Sequence, residues 1–200
     1  MMTITYVLRN SLYVNITNRC TNRCSFCIRN TDHGVGEGID LWLDREPTVR
    51  EIIDDIEKHD LNQFKELVFC GYGEPMFRTE EIVEICKYIR SRYSIKIRIN
   101  TNGHANLIHG YDVTPILEGL VDCVSISLNA KNAAEYQNLC HSVYGERAYE
   151  GMLDFALKCK KYVPEVVLSV VDVMSPEDIK TCEQIAGQLG VGFRVRKYSS

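Results

Sequence analysis

The chain has 200 residues, 45% of them apolar and 25% charged, which is enough for one ordinary core, too little for two full domains, and unlike a disordered segment. A formal net charge of −4, with no Lys/Arg cluster interleaved by aromatics, leaves nucleic-acid binding without support, and no apolar run of about 18 residues is present to span a bilayer. Met1 to Asn10 lacks a basic region followed by an apolar one, so the chain is expected to stay in the cytoplasm, with its nine cysteines reduced and some of them holding metal.

In chain order, the β-branched run Leu12 to Thr17 predicts a first strand, and residues 28 to 47, rich in Gly and charge, show no periodicity. Ile52, Ile53 and Ile56 after Thr48 recur at helical spacing, and Lys65 to Gly71 reads as the second strand. Ile82, Val83, Ile85 and Ile89 after Thr79 mark another helix, and Ile95 to Thr101 and Asp122 to Leu128 are further strands. Met152, Phe155, Ala156 and Cys159 then mark a helix, followed by a strand from Glu165 to Val173. The helix Ser175 to Leu189 is the best delimited. Ser175 caps it, Pro176 takes the first position, Glu177 and Asp178 face its unpaired amides, and Gly190 supplies the stop. Gly192 to Tyr198 reads as the sixth strand.

Strands alternating with helices predict an α/β fold with a parallel sheet, helices outside, and right-handed crossovers that curl six units into a (β/α)6 partial barrel of TIM type. In that architecture the chemistry sits at the carboxyl ends of the strands. No linker, repeat or low-complexity tract interrupts the chain, so residues 1–200 are expected to form a single domain.

The strongest chemical signal follows the first strand: Cys20-Thr21-Asn22-Arg23-Cys24-Ser25-Phe26-Cys27, a CxxxCxxC spacing. A tight loop of this kind can wrap three thiolates around one face of an iron–sulfur cube, and with no fourth cysteine at ferredoxin spacing one iron is left open. A closed Cys₃His zinc site using His33, six residues beyond Cys27, is the competing reading, and an electron-transfer ferredoxin is another.

The motif resembles that of the radical S-adenosylmethionine (radical SAM) superfamily, in which CxxxCxΦC follows the first strand of a (β/α)6 partial barrel, and Phe26 stands at the aromatic position. Gly71-Tyr72-Gly73-Glu74-Pro75 is similar to the family's GGEP motif, with Tyr72 in place of the first glycine. Asn100-Thr101-Asn102-Gly103 is similar to its TNG turn, and Ser125-Ile126-Ser127-Leu128-Asn129 to its SxD-type strand end, with Asn129 where Asp is frequent. The resemblance implies an enzyme whose Cys20, Cys24 and Cys27 bind a [4Fe–4S] cluster. It further implies that Phe26, Gly73, Glu74, Pro75, Thr101, Asn102, Ser127 and Asn129 contact S-adenosylmethionine. Glu74 and nearby carbonyls would meet the methionyl ammonium, and Ser127 and Asn129 its carboxylate and ribose. Reductive cleavage to a 5′-deoxyadenosyl radical, a flavodoxin or ferredoxin as electron donor, and no catalytic residue beyond the cluster and SAM site follow as expectations. Short length and the FCGYGEP loop look most like small radical proteins linked with TatD-type nucleases.

The remaining cysteines, Cys70, Cys86, Cys123, Cys140, Cys159 and Cys182, form no CxxC pair, so no auxiliary-cluster domain is expected. Cys86, Cys159 and Cys182 read as core residues, while Cys70 and Cys140 could face the cavity, with neither expected to be catalytic. His104, His109 and His141 are candidates for proton transfer or for ordinary polar roles. Trp42 with the loop Asp40 to Glu46 is a lid, a docking edge or a solvated loop, and Arg194, Arg196 and Lys197 are available for an anionic substrate if they point inward. A small-molecule substrate is the leading expectation. Activation or modification of a partner protein or peptide, and a non-catalytic zinc or cluster sensor, are the alternatives.

Overall fold

The computed structural model describes residues 2–30, 35, 36 and 38–197. Among these residues seven strands form one sheet in strict chain order: β1 (Thr5–Leu8), β2 (Ser11–Val14), β3 (Glu66–Phe69), β4 (Lys96–Thr101), β5 (Cys123–Ser127), β6 (Glu165–Val171) and β7 (Gly192–Arg196). All pairs from β2 to β7 are parallel, and β1 alone pairs antiparallel, with Tyr6 opposite Tyr13. The sheet is open, a partial barrel, and the six expected strands are present within a few residues of their expected ends. β1 was not expected, because its four residues carry no clear alternation.

Among the described residues six helices accompany the sheet: α1 (Val49–Ile56), α2 (Thr79–Arg90), α3 (Ala105–His109), α4 (Ala133–Cys140), α5 (Arg147–Cys159) and α6 (Pro176–Leu189). Capping fixes their starts. Thr48 and Glu51 close a reciprocal capping box on α1, and Ser175 Oγ accepts from the Asp178 amide at 3.2 Å on α6, which ends at Gly190 in the left-handed region at φ 65°. α4 opens the same way, with Asn132 Oδ1 accepting from the Glu135 amide at 2.9 Å.

Strand alternation sorts the side chains. Leu12, Val14, Leu67, Phe69, Ile97, Ile99, Val124, Ile126, Val166, Leu168 and Val170 face the helices and join one buried cluster with Ile52, Ile82, Ile85, Met152 and Phe155. Burying each such side chain contributes about 1.5–3 kcal/mol. Cys86, Cys159 and Cys182 are fully buried in that cluster, as expected, and so is Cys140. The alternate positions, among them Tyr13, Arg98, Asn100, Ser125, Ser127 and Ser169, lie on the other, concave face and are mostly polar. Within residues 28–47, Ile28–Asn30 forms a 3₁₀ turn, and Leu41 packs with Tyr6 and Tyr72 in a second, smaller cluster.

Candidate cofactor site at the carboxyl rim

Cys20, Cys24 and Cys27 are half-buried free thiols in the loop that leaves β2. The end of α4 clamps that loop through backbone bonds: the Arg23 amide donates to Cys140 O at 2.9 Å, the Ser25 amide to Leu139 O at 3.1 Å, and the Val143 amide to Thr21 O at 2.9 Å. Phe26 packs against the core. Burial, with the charge of Glu74 adding to it, pushes the Cys20 thiol up to about 12, and burial raises Cys27. A hydrogen bond with the Cys140 thiol, then burial, raises Cys24. The thiols are therefore protonated at neutral pH, and iron must displace their protons. Cys20 Sγ already accepts from the Asn22 amide at 3.4 Å and lies 3.9 Å from Asn102 Nδ2.

The second loop presses directly on the first. A Cβ on Gly73 would stand 2.2 Å from Thr17 O and 2.6 Å from Arg19 O, so only glycine permits the approach, which the Glu74 amide secures by donating to Arg19 O at 2.7 Å. Tyr72, standing where the family has glycine, turns away and meets Trp42 edge-on at 5.3 Å between ring centroids. Trp42 therefore forms an exposed contact on this loop. Glu74 is buried. Its Oε1 accepts from Thr101 Oγ1 at 2.7 Å and the Met76 amide at 3.0 Å, and its Oε2 from the Asn102 amide at 2.6 Å. Burial outweighs those three donors and raises the carboxyl to about 7. Glu74 thus braces β4 against the loop, while Oε2 keeps acceptor capacity for an ammonium. Pro75 opens the 3₁₀ turn Pro75–Arg78.

Asn102 joins the rim to the cysteines. Its Nδ2 donates to Thr21 Oγ1 at 2.8 Å, and its Oδ1 accepts from the His104 amide at 3.0 Å. Thr21 Oγ1 meets His104 Nδ1 at 2.8 Å, His104 Nε2 meets Tyr136 OH at 3.1 Å, and Asn22 Nδ2 donates to Tyr136 OH at 3.0 Å. His104 has no exposed surface, and burial pushes it down to about 4, so it is a neutral ring with one donor and one acceptor nitrogen. Its place is that of a brace. His109 Nε2 sits 2.8 Å from Met76 O and 3.1 Å from Thr79 Oγ1, and His141 is an exposed cap in the left-handed region at φ 47°. Thr21, Asn22 and Tyr136 were not among the expected site residues, since single polar residues without a motif carry no signal of their own.

Ser127, at the end of β5, accepts from Arg196 Nη2 at 3.4 Å. Asn129 is left-handed at φ 55° and lines a cavity of about 270 Å³ with Leu139 and Met174. Among the described residues its Oδ1 is buried without a hydrogen-bond partner, as are Asn22 Oδ1 and Asn15 Oδ1. Such acceptors are positions that a ligand's N–H or O–H groups satisfy. They suit a ligand with an ammonium, ribose hydroxyls and an adenine amino group.

Among the described residues no three Cys, His, Asp or Glu side chains gather around one point that could hold a single ion. Three thiols on one loop, with N–H donors at a sulfur, instead fit a cube, where each thiolate takes a different iron. His33, the competing zinc ligand, lies outside the described residues.

The family model for the radical SAM superfamily matches residues 14–189. Among solved structures, the chain is similar to SuiB of Streptococcus suis bound to S-adenosylmethionine, with a TM-score of 0.66 and 16% identity over 96% of this chain and 38% of that one. It is also similar to a radical SAM methyltransferase from Sphaerobacter thermophilus, with 0.58 and 15% over 96% and 68%, and to HydG, a maturase of the [FeFe]-hydrogenase, with 0.67 and 16% over 95% and 42%. The chain thus spans about 38% of the length of SuiB, and at these identities the likeness is one of fold. No curated protein matches the sequence.

Proposed function

The chain belongs to the radical SAM superfamily, and from that premise we propose that Cys20, Cys24 and Cys27 hold a [4Fe–4S] cluster beside bound S-adenosylmethionine and that the enzyme acts on a small molecule. The family uses these two cofactors. Held by these residues, they would supply reductive one-electron cleavage of the sulfonium as the source of hydrogen-abstracting chemistry.

The chain's own residues bind, orient and exclude water. Gly73, Glu74 and Pro75 present acceptors to the methionyl ammonium, with the remaining capacity of Glu74 Oε2 directed to it. Ser127 and Asn129 receive carboxylate and ribose, the unpartnered Asn129 Oδ1 taking a hydroxyl proton. Thr101 and Asn102 fix Glu74 and the cysteine loop relative to each other, and Phe26 shields the loop with its ring. The electron comes from an external donor of flavodoxin or ferredoxin type. Residues 1–200 serve as one core unit, and the likeness of the FCGYGEP loop to TatD-linked radical proteins belongs to this same proposal.

One observation carries the reading. Asn102 reaches Thr21 and the Cys20 sulfur with its side chain while Glu74 holds its amide, which ties three loops into one rim. The test is anaerobic: reconstitute with iron and sulfide, add dithionite and S-adenosylmethionine, and quantify 5′-deoxyadenosine. The native protein is expected to form it and Cys24→Ala to form none. A loaded [4Fe–4S] cluster that binds S-adenosylmethionine without ever cleaving it would count against catalysis.

A further inference from the structure

Among the described residues, the concave face of the sheet presents two arginines that make no salt bridge. Parallel partners share a face, and β6 pairs with β7 so that Ser169 lies beside Arg194 and Val171 beside Arg196. Leu168 and Val170, between them, belong to the helix-side core. Arg194 and Arg196 therefore lie on the concave face, whereas the sequence alone left their direction open.

The other charges on that face are matched. Arg98 pairs with Glu66 at 2.7 Å and Lys96 with Glu165 at 2.6 Å. Among the described residues no carboxylate lies within 4.0 Å of the guanidinium of Arg194 or Arg196, although Glu165 is near enough to interact with the charge of Arg194. Arg194 and Arg196 are both exposed, and Arg196 Nη2 donates to Ser127 Oγ at 3.4 Å. Desolvation against the concave face, with the charges of Arg194 and Arg98 adding to it, weighs against the charge on Arg196. A guanidinium does not release its proton, so both side chains stay charged and can receive an oxyanion.

We propose that Arg194 and Arg196 form an oxyanion-binding site on the concave face, beside Ser127, and that the substrate carries a carboxylate or phosphate group seated there. The planar fork of each guanidinium matches either group. The assignment of a substrate to this face rests on the radical SAM reading above, but the anion site itself can be measured independently of it.

Isothermal titration of the cluster-loaded protein, saturated with S-adenosylmethionine, uses malonate and, separately, inorganic phosphate as probes. Saturable binding of one equivalent is expected, weakened about 10-fold or more in Arg194→Gln and in Arg196→Gln, as loss of a charge-assisted contact implies. Lys180→Gln, the same charge change at an exposed position on α6, is expected to bind as the native protein does. Preference for malonate or for phosphate identifies the source of the oxyanion. Repeating the titration on Cys24→Ala, which lacks the cluster, separates the two readings: binding retained there supports the anion site whatever becomes of the cofactor assignment. Absence of saturable binding up to about 10 mM, or binding as tight as the native protein's in the two arginine variants, overturns it. So does a fall in S-adenosylmethionine affinity in Arg196→Gln without loss of probe binding, which would give that arginine to the methionyl carboxylate.

Discussion

Replacing Glu74 with Gln separates what this carboxylate does for the fold from what it does for the cofactor. It is 3% exposed, and burial raises it from 4.5 to about 7 despite three hydrogen-bond donors. A carboxyl whose folded pKa is raised keeps its proton longer in the folded than in the unfolded chain. Its contribution is therefore fully present below pH 4.5 and is lost as pH rises through about 7. At about 1.4 kcal/mol per pH unit, this amounts to about 2.5 kcal/mol between pH 5 and pH 8. Gln has the shape of the acid and no charge to bury, but its Nε2 cannot accept, so at least one of the three donors loses its partner, at a cost of about 1–3 kcal/mol. The cluster-free Glu74→Gln protein is therefore expected to be less stable than the native one at pH 5, with the difference shifting by about 2.5 kcal/mol in its favour by pH 8. Urea denaturation of both proteins across that interval provides the measurement. A gap that stays constant with pH would refute the assignment of a buried, titrating carboxylate. A variant that is less stable at pH 8 would show that the three hydrogen bonds outweigh desolvation.

Gly73→Ala drives a methyl group against two backbone carbonyls, and overpacking of this kind costs about 1–3 kcal/mol. A lower urea midpoint together with reduced iron content after reconstitution is expected, whereas a change in neither would dismiss the close approach of the two loops. Tyr136→Phe strands Asn22 Nδ2 and His104 Nε2, so a loss of about 1–3 kcal/mol should appear in the same denaturation assay. Thr48→Ala removes the box that starts α1 and should cost about 1 kcal/mol, leaving 5′-deoxyadenosine formation at the native rate.

The parallel sheet was legible because Lys65 to Gly71, Asp122 to Leu128 and Glu165 to Val173 are apolar or β-branched runs separated by helical spacing, and chain order then sets the topology. β1 was hidden by its length, and its pairing depends on Tyr6 meeting Tyr13, a contact across the sheet that no local pattern encodes. α4 was missed although Asn132 and Glu135 stand at capping-box spacing, because Ala133, Tyr136 and Cys140 make a thin apolar stripe. At the site, Cys20, Cys24 and Cys27 announced themselves by spacing and Gly73 by its motif. The His104–Tyr136 brace did not, since it closes only when residues separated by 32 positions fold together. Tyr72 looked like a departure from a glycine motif. Its side chain is accommodated because it points toward Trp42 and Leu41, away from the approach that Gly73 requires.

The clamps on the cysteine loop bear on how the cofactor arrives. Small zinc modules are unfolded until metal gathers their ligands, so their metal affinity and their folding are one equilibrium. Here backbone bonds from Cys140 and Leu139, the Asn102 bridge and the Glu74 brace hold the loop in place using protein groups alone. The apolar core lies on the opposite side of the sheet, with Cys24 and Phe26 of the loop packed against it. The cysteine loop therefore has protein partners of its own, and its ordering does not rest on metal ligation alone.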